Sequence, residues 1–179
     1  FHRENVILGL GPEPGPTAID YDLIHAGKKP VTMLPGGAFF HHADSFAMIR
    51  GGHIDICVLG AFQISASGDL ANWSTGGPES VPAVGGAMDL AVGARKVFVM
   101  TDHNTKEGDF KLVGECSFPL TGLSVVDTIY TDIAVVDVTE SGFVVRQKVP
   151  GLSFDELQDR TGAPLGGADT CTDLVISET

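Results

Sequence analysis

Basic residues are scarce in this 179-residue sequence. Eleven lysines and arginines stand against 23 aspartates and glutamates, which gives a net charge of −12. Nucleic acids and anionic membrane surfaces are bound through clustered Lys and Arg side chains, so this balance argues against both classes of partner. A small anionic ligand is compatible with it, because the charges that line one pocket can oppose the net charge of the chain.

Cysteine is also scarce, and long apolar runs are absent. Cys57, Cys116 and Cys171 are odd in number and form no Cys-x-x-Cys pair, which excludes a zinc knuckle and fits a reducing cytoplasm. No apolar run reaches the roughly 18 residues of a membrane span. We therefore expect a cytoplasmic protein that does not enter a membrane. Hydrophobic residues make up 43% of the chain, enough for a globular domain with a substantial core.

Segments typical of strands and of helices alternate along the chain. Helices are predicted over residues 17–27, over 44–50 with Asp44 or Ser45 as the cap, over 87–94, and over 153–161 with a capping box from Ser153 to Glu156. Strands are predicted at "PVTML", at "HIDICVLG" and at "RKVFVMT", and "IYTDIAVVDVT" with "FVVRQKV" predicts a β-hairpin.

This alternation predicts an α/β fold. We expect an open, largely parallel sheet with flanking helices, followed by a C-terminal β-hairpin and helix. The domain is expected to span residues 1–165, and residues 166–179 are expected to form a loose tail.

Three glycine-rich segments follow predicted strands, where ligands bind in such folds: 9–11, 36–37 and 85–86. A dinucleotide fingerprint is rejected for the first, because Pro12, Pro14 and Pro16 prevent a helix from starting there; a proline-stiffened turn is predicted. The segment Gly85-Gly86-Ala87-Met88 is a better candidate. Two glycines before a helix expose backbone N–H groups that suit an anion or oxyanion, although a glycine hinge for close packing explains them equally well.

Three other groups of polar residues are weak candidates. Adjacent residues rarely bind one metal ion, and two such pairs lack a further ligand at suitable spacing: His41-His42, with Asp44 beside it, and Asp102-His103. A serine, histidine and aspartate can be combined from Ser45, His53 and Asp55, but nothing places this serine on a nucleophile elbow. We expect no metal site.

Several long stretches resemble one enzyme family. They are "SFAMIRGGHIDICVLGAFQISASGDLANW", "GGAMDL", "ECSFPLTG", "VVDTIYTDIAVVDV" and "PGLSFDELQDRTGAPL". They resemble the β-subunit, or C-terminal half, of family I CoA-transferases such as succinyl-CoA:3-oxoacid and 3-oxoadipate CoA-transferases. The resemblance implies an α-subunit partner in an αβ or α2β2 assembly, with an acyl-CoA and a carboxylic acid as substrates. No separate cofactor is implied, because CoA enters as part of the substrate.

The resemblance also assigns roles to residues. The family's Ser-Glu-Asn-Gly motif carries a covalent glutamate nucleophile, and Glu4 and Asn5 align with its two central residues. The resemblance implies ping-pong catalysis, in which this carboxylate attacks the donor thioester and later carries CoA as a glutamyl thioester. The segment that helps to bind the oxyanion and the CoA thioester aligns with Gly85, Gly86, Ala87 and Met88, and Gly86 is expected to be a backbone donor.

The sequence departs from the family pattern at three places. Arg3 replaces the serine and Val6 the glycine of the motif, and the loop "STGGPESVPAV" lacks the usual lysine. Family β-subunits also begin one βα unit, about 30 residues or more, earlier. We expect the β-subunit of a 3-oxoacid CoA-transferase that uses succinyl-CoA with 3-oxoadipate or acetoacetate. Two alternatives stay open: an acyl-CoA hydrolase on the same fold, and a non-catalytic ligand-binding module.

Overall fold

The chain divides into two compact units. A computed structural model describes the backbone of residues 2–3 and residues 7–25, 29–77 and 83–175. The units are Phe1–His53 and Ile54–Thr179. In the described residues, no helix is long and apolar enough to cross a membrane.

The first unit contains an antiparallel sheet and one helix. Strands β1 (His2–Arg3), β2 (Ile7–Leu10) and β3 (Met33–Phe39) are paired in that order. Helix α1 (His42–Arg50) begins after His41, whose Nδ1 accepts the N–H of Ala43 at 3.2 Å. The predicted helix is confirmed, but its cap is His41 and not Asp44 or Ser45.

The helix predicted over residues 17–27 is wrong within its described part, which ends at His25. The backbone N–H of Asp22 donates to Asp20 Oδ1 at 2.9 Å, and that of Leu23 donates to the Asp20 carbonyl at 3.2 Å. Aspartate side chains that bond to nearby backbone compete with helix formation. The chain then reverses, and Ile24 forms an antiparallel bridge with Pro30.

The turn predicted at residues 35–37 is also wrong, because these residues lie inside β3. The pairing of β2 with β3 is irregular, with a shift of register between Leu8 and Leu10. Gly9, between them, has a φ of +80°, and a Cβ there would lie 2.8 Å from the Cα of Gly37. A bulged strand pair therefore explains these glycines, and the proline-stiffened turn begins only after β2.

The second unit is built on a seven-stranded sheet. Its strands are β4 (Ile56–Leu59), β7 (Lys96–Met100), β9 (Thr128–Tyr130), β10 (Ala134–Thr139), β11 (Gly142–Lys148), β12 (Leu165–Gly166) and β13 (Thr172–Asp173). The order is β12-β11-β10-β9-β7-β4, with β13 also on β11. Among these described strands β10 alone runs against the other six, so the prediction of a largely parallel sheet is confirmed.

Further elements cover this sheet. A small second sheet has the order β6-β5-β8, from β5 (Gln63–Ser65), β6 (Leu70–Ala71) and β8 (Leu112–Val113). Helix α2 (Ala87–Gly93) and helix α3 (Phe154–Asp159) lie where the sequence predicts them, and the capping box of α3 is confirmed. The core contains the fully buried Val99, Ile129 and Phe143, one from each of three strands of the sheet.

Part of the stretch predicted as a loose tail is ordered. Strands β12 and β13 both pair in parallel with β11, and Lys148 Nζ donates to Asp173 Oδ1 at 2.8 Å. The expectation of a loose tail from residue 166 is therefore wrong as far as Val175. Residues 176–179 lie outside the described residues.

Candidate active site

Three parallel strands of the second unit end at one edge of the sheet. Strands β4, β7 and β9 are paired in parallel, so Gly60, Thr101 and Thr131, which follow them directly, come together there. We call residues 60–63, 101–104 and 131–132 the carboxyl edge. Ligands of open α/β sheets bind outside this edge.

Helix α2 runs back along β4 and begins on the same side as the carboxyl edge. The N–H of Arg95, after the helix, donates to the carbonyl of Ile54, before β4. Within the helix, the carbonyl of Leu90 lies 3.5 Å from Cys57 Sγ in β4. The helix C-terminus therefore lies at the amino end of β4, and Gly86, at the other end, lies toward the carboxyl edge.

The two glycines before α2 differ in what holds them. Gly85 has a φ of +63°, and no heavy atom lies within 4 Å of a Cβ built on it. Its backbone conformation, and not close packing, favours glycine there. Gly86 is the N-cap with φ −67° and ψ −12°, which any residue adopts, and no side chain caps the helix. Met88, two residues later, is half exposed.

Glu4 and Asn5, the predicted nucleophile and its companion, lie outside the described residues. The roles predicted for them and for the Gly85–Met88 segment stay predictions.

A loop beside the carboxyl edge is tied down by Gln63, a residue whose role the sequence motifs do not reveal. Gln63 Oε1 accepts the N–H of Ser117 at 2.8 Å, the N–H of Phe118 at 3.3 Å and the Ser117 hydroxyl at 3.2 Å. The side chain thus replaces a run of backbone pairing that the irregular "CSFPLTG" segment cannot make for itself.

Asn72 links the same loop to the end of β4. Its Oδ1 accepts the Thr121 hydroxyl at 2.6 Å, and its Nδ2 donates to the carbonyl of Gly60 at 3.2 Å. Next to it, Trp73 Nε1 donates to the carbonyl of Leu120 at 3.3 Å. The "ANW" and "PLTG" motifs therefore act together, since one holds the other.

His103 is a core residue and not a metal ligand. It is 1% exposed, its Nδ1 lies 3.1 Å from Thr131 Oγ1, and its Nε2 lies 2.9 Å from Thr161 Oγ1. Burial lowers the pKa of His103 to about 4; the negative charge of Asp132 opposes this shift and the positive charge of Arg160 adds to it. The imidazole is therefore neutral at pH 7.

The other weak candidates also have structural partners. His42 packs on Phe46 with ring centroids 4.8 Å apart, and Asp55 pairs with Arg95 at 2.9 Å. Across residues 7–25, 29–77 and 83–175, no three His, Cys, Asp or Glu side chains are grouped so that they could hold a metal ion. Burial and a nearby carboxylate raise the pKa of Cys57 and of Cys116 to about 11, so neither is a thiolate nucleophile at neutral pH.

The largest surface groove of the described residues lies at the opposite edge of the sheet. It measures about 830 Å³ and is bordered by Asp127, Glu140 and Ser141, among others. Asp127 precedes β9, so the groove lies at its amino end. No described cation lines it, which makes it a poor site for an anionic substrate.

Comparisons with known proteins agree with this geometry. The family profile described as Coenzyme A transferase matches residues 1–159. The chain belongs to the coenzyme A transferase family.

Two relatives are named as β-subunits of such enzymes. The chain is 63% identical over 165 residues to the β-subunit of 3-oxoadipate CoA-transferase from Acinetobacter baylyi, a match that covers 92% of this chain and 76% of the relative. It is 46% identical over 164 residues to the β-subunit of succinyl-CoA:3-ketoacid coenzyme A transferase from Helicobacter pylori, which covers 91% of this chain and 78% of the relative.

A solved structure shows the same fold. An acyl-CoA transferase of Escherichia coli superposes with a TM-score of 0.71 at 15% identity, over 85% of this chain and 33% of the other. At this identity the likeness supports the α/β fold alone. The matched part spans only a third of the length of that larger protein.

Proposed function

We propose that the chain is the β-subunit of a 3-oxoacid CoA-transferase, which moves CoA from succinyl-CoA to a 3-oxo acid. The 63% identity over 92% of the chain to the β-subunit of a 3-oxoadipate CoA-transferase carries this proposal. Identity falls to 46% for the β-subunit of the succinyl-CoA:3-ketoacid enzyme. We therefore propose 3-oxoadipate as the acceptor, ahead of acetoacetate.

Glu4 is the proposed nucleophile. Its carboxylate attacks the thioester carbonyl of succinyl-CoA, the C–S bond breaks, and CoA leaves as a thiolate while a succinyl-glutamyl anhydride forms. The thiolate then attacks the glutamyl carbonyl, and succinate leaves. The product is a glutamyl-CoA thioester, and the 3-oxo acid reverses the two steps to leave as its own CoA ester. Covalent catalysis divides one difficult exchange into easier steps.

Asn5 and the segment Gly85-Gly86-Ala87-Met88 are proposed to bind the oxyanion and the CoA thioester. Each tetrahedral intermediate carries a negative oxygen, which backbone N–H groups stabilise. Gly86 is the donor we propose, because it has no side chain to keep the thioester away and no side chain caps the helix after it.

The active enzyme is proposed to contain an α-subunit as well, since the relatives are named as one of the subunits of their enzymes. An αβ or α2β2 assembly would satisfy this, with CoA supplied by the substrate and no further cofactor. We also propose a cytoplasmic location, in which the three free thiols would stay reduced.

Kinetics and mass spectrometry of the two-subunit complex test the proposal. Initial rates against succinyl-CoA, at several fixed 3-oxoadipate concentrations, should give parallel double-reciprocal lines, because succinate leaves before the acceptor reacts. Incubation with succinyl-CoA alone should leave CoA covalently bound, on the peptide that contains Glu4.

Variants locate the nucleophile. Glu4→Gln should lower transfer by about 10³–10⁶ and abolish the adduct, as loss of other covalent nucleophiles does. Glu13→Gln, an exposed carboxylate in the same unit, is the matched control and should behave as the wild type. Intersecting lines without an adduct would overturn the mechanism. Release of free CoA without an acceptor would identify a hydrolase, and neither turnover nor adduct would identify a binding module.

A further inference from the structure

The substrates proposed above share a charged group that the reaction never touches. Succinyl-CoA and 3-oxoadipyl-CoA each keep a free carboxylate at the far end of the acyl chain. Such a group loses water when it enters a site and needs charged or hydrogen-bonding partners there. The enzyme therefore needs a cation near the carboxyl edge, and this inference rests on the proposed function.

Most cations with described side chains in the second unit are unsuitable. Arg95, Arg146 and Lys148 are paired with aspartates. Lys96 begins β7 and so lies at the opposite edge, and Lys106 is exposed in a loop. Two cations remain beside the carboxyl edge.

These two cations, Arg160 and Lys111, differ in how they are held. Arg160 is exposed and lies one helical turn after the carboxylate of Glu156. Lys111 is half-buried, and its Nζ donates to Thr101 Oγ1 at 2.8 Å. Thr101 in turn donates its hydroxyl proton to the carbonyl of Ala61 at 3.3 Å. The ammonium of Lys111 is thus fixed over the ends of β4 and β7.

Lys111 has no counter-ion within the part of the chain that the structure describes. Its ammonium contacts a neutral hydroxyl, and no carboxylate lies within ion-pair distance of its Nζ. A half-buried ammonium has three N–H donors, of which Thr101 accepts one. Two donors are left for an anion.

The neighbourhood also has room for a short acyl chain. No heavy atom lies within 4 Å of a Cβ built on Gly60, the first residue after β4. Phe62, two residues later, is 41% exposed and offers an apolar surface. We propose that Lys111 binds the free distal carboxylate of dicarboxylic acyl groups and so selects succinyl and 3-oxoadipyl groups over uncharged acyl groups of equal length.

The donor half-reaction isolates this selectivity, because formation of the enzyme–CoA thioester requires no acceptor. Rates are measured with the two-subunit complex for succinyl-CoA and for butyryl-CoA, which have four-carbon acyl groups with and without the distal carboxylate. Lys111→Gln keeps an N–H donor for Thr101 but removes the charge. It should lower kcat/KM for succinyl-CoA at least about tenfold, as loss of a charge-assisted hydrogen bond does, and leave that for butyryl-CoA within about twofold.

Lys106→Gln is the matched control, since it removes one exposed charge five residues away, and it should change neither rate. An equal fall for both acyl-CoA substrates in Lys111→Gln would overturn the inference and leave Lys111 a purely structural residue, while the proposed function would still stand.

Binding provides a readout that does not depend on catalysis. In calorimetric titrations of the complex, succinate should bind at least about tenfold more weakly to Lys111→Gln than to the wild type, while Lys106→Gln should match the wild type. If the wild type forms no thioester, the proposed function fails, and this titration alone decides on Lys111. Equal succinate binding by the wild type and Lys111→Gln would overturn the inference.

Discussion

At the scale of single residues, His103 makes the stability of the second unit depend on pH. Its Nε2 donates to Thr161 Oγ1, because the Thr161 hydroxyl proton is already used on the carbonyl of Leu157 at 2.8 Å. Its Nδ1 then accepts from Thr131. This arrangement is complete for a neutral imidazole, and protonation places a charge in the core.

The direction of the pH effect follows from the lowered pKa. The unfolded chain binds the proton near pH 6.5, whereas the folded chain binds it at about 4. The contribution of His103 is therefore complete above pH 6.5, and we expect roughly 3 kcal/mol of the free energy of unfolding to be lost as the pH falls from 6.5 toward 4. Urea unfolding of wild type and His103→Gln across this range measures it. His53→Gln, which changes an exposed histidine, should keep the wild-type slope; the same slope in His103→Gln would contradict the assignment.

The glycine pair before α2 gives a second residue-scale prediction. Gly85→Ala should lower the free energy of unfolding by about 1 kcal/mol, because alanine is strained at a φ of +63°. Gly86→Val has no such strain, since φ −67° and ψ −12° suit an L-residue. It should lower turnover far more than stability, by blocking close approach of the thioester to the backbone. Thermal unfolding and turnover per folded molecule separate the two; a large loss of stability with normal turnover in Gly86→Val would mean that this glycine serves packing.

At the scale of elements, the loop 116–121 depends on one side chain. Gln63→Leu removes the acceptor of two backbone N–H groups and one hydroxyl, and we expect a loss of about 1–3 kcal/mol together with faster hydrogen exchange at Ser117 and Phe118. Gln63→Glu keeps the acceptor oxygens and should protect both amides. Unchanged exchange in Gln63→Leu would show that the loop is held by other contacts.

The elements also show where sequence reasoning succeeds. Strands β4 and β7 and helices α2 and α3 were predictable because apolar periodicity and local caps, such as Ser153 with Glu156, agree with the tertiary fold. The segment before β3 was not, because its turns depend on Asp20 bonding to its own backbone neighbourhood. Strand β13 was missed for a different reason: two residues pair with β11 only in the finished sheet, and short strands of this kind leave no periodic signal.

For the candidate site, local motifs identified Gly85 and Gly86, but not Lys111. Glycines before a helix have a recognisable local pattern, whereas a lysine acquires significance only through Thr101, ten residues away, and Ala61, in another loop. Sequence spacing does not encode such contacts between loops at a sheet edge.

At the scale of the whole molecule, the decisive prediction concerns the α-subunit. The relatives are named as β-subunits, and we expect the purified chain alone to form no glutamyl-CoA thioester and to transfer no CoA. Titration with an α-subunit should restore both, with a break in the rate at equal amounts of the two polypeptides. Light scattering after size-exclusion chromatography gives the stoichiometry. The Glu4→Gln variant should form the same complex and stay inactive, which separates assembly from chemistry. Full activity of the single chain, with no second polypeptide on a gel, would show that this chain contains a complete site of its own.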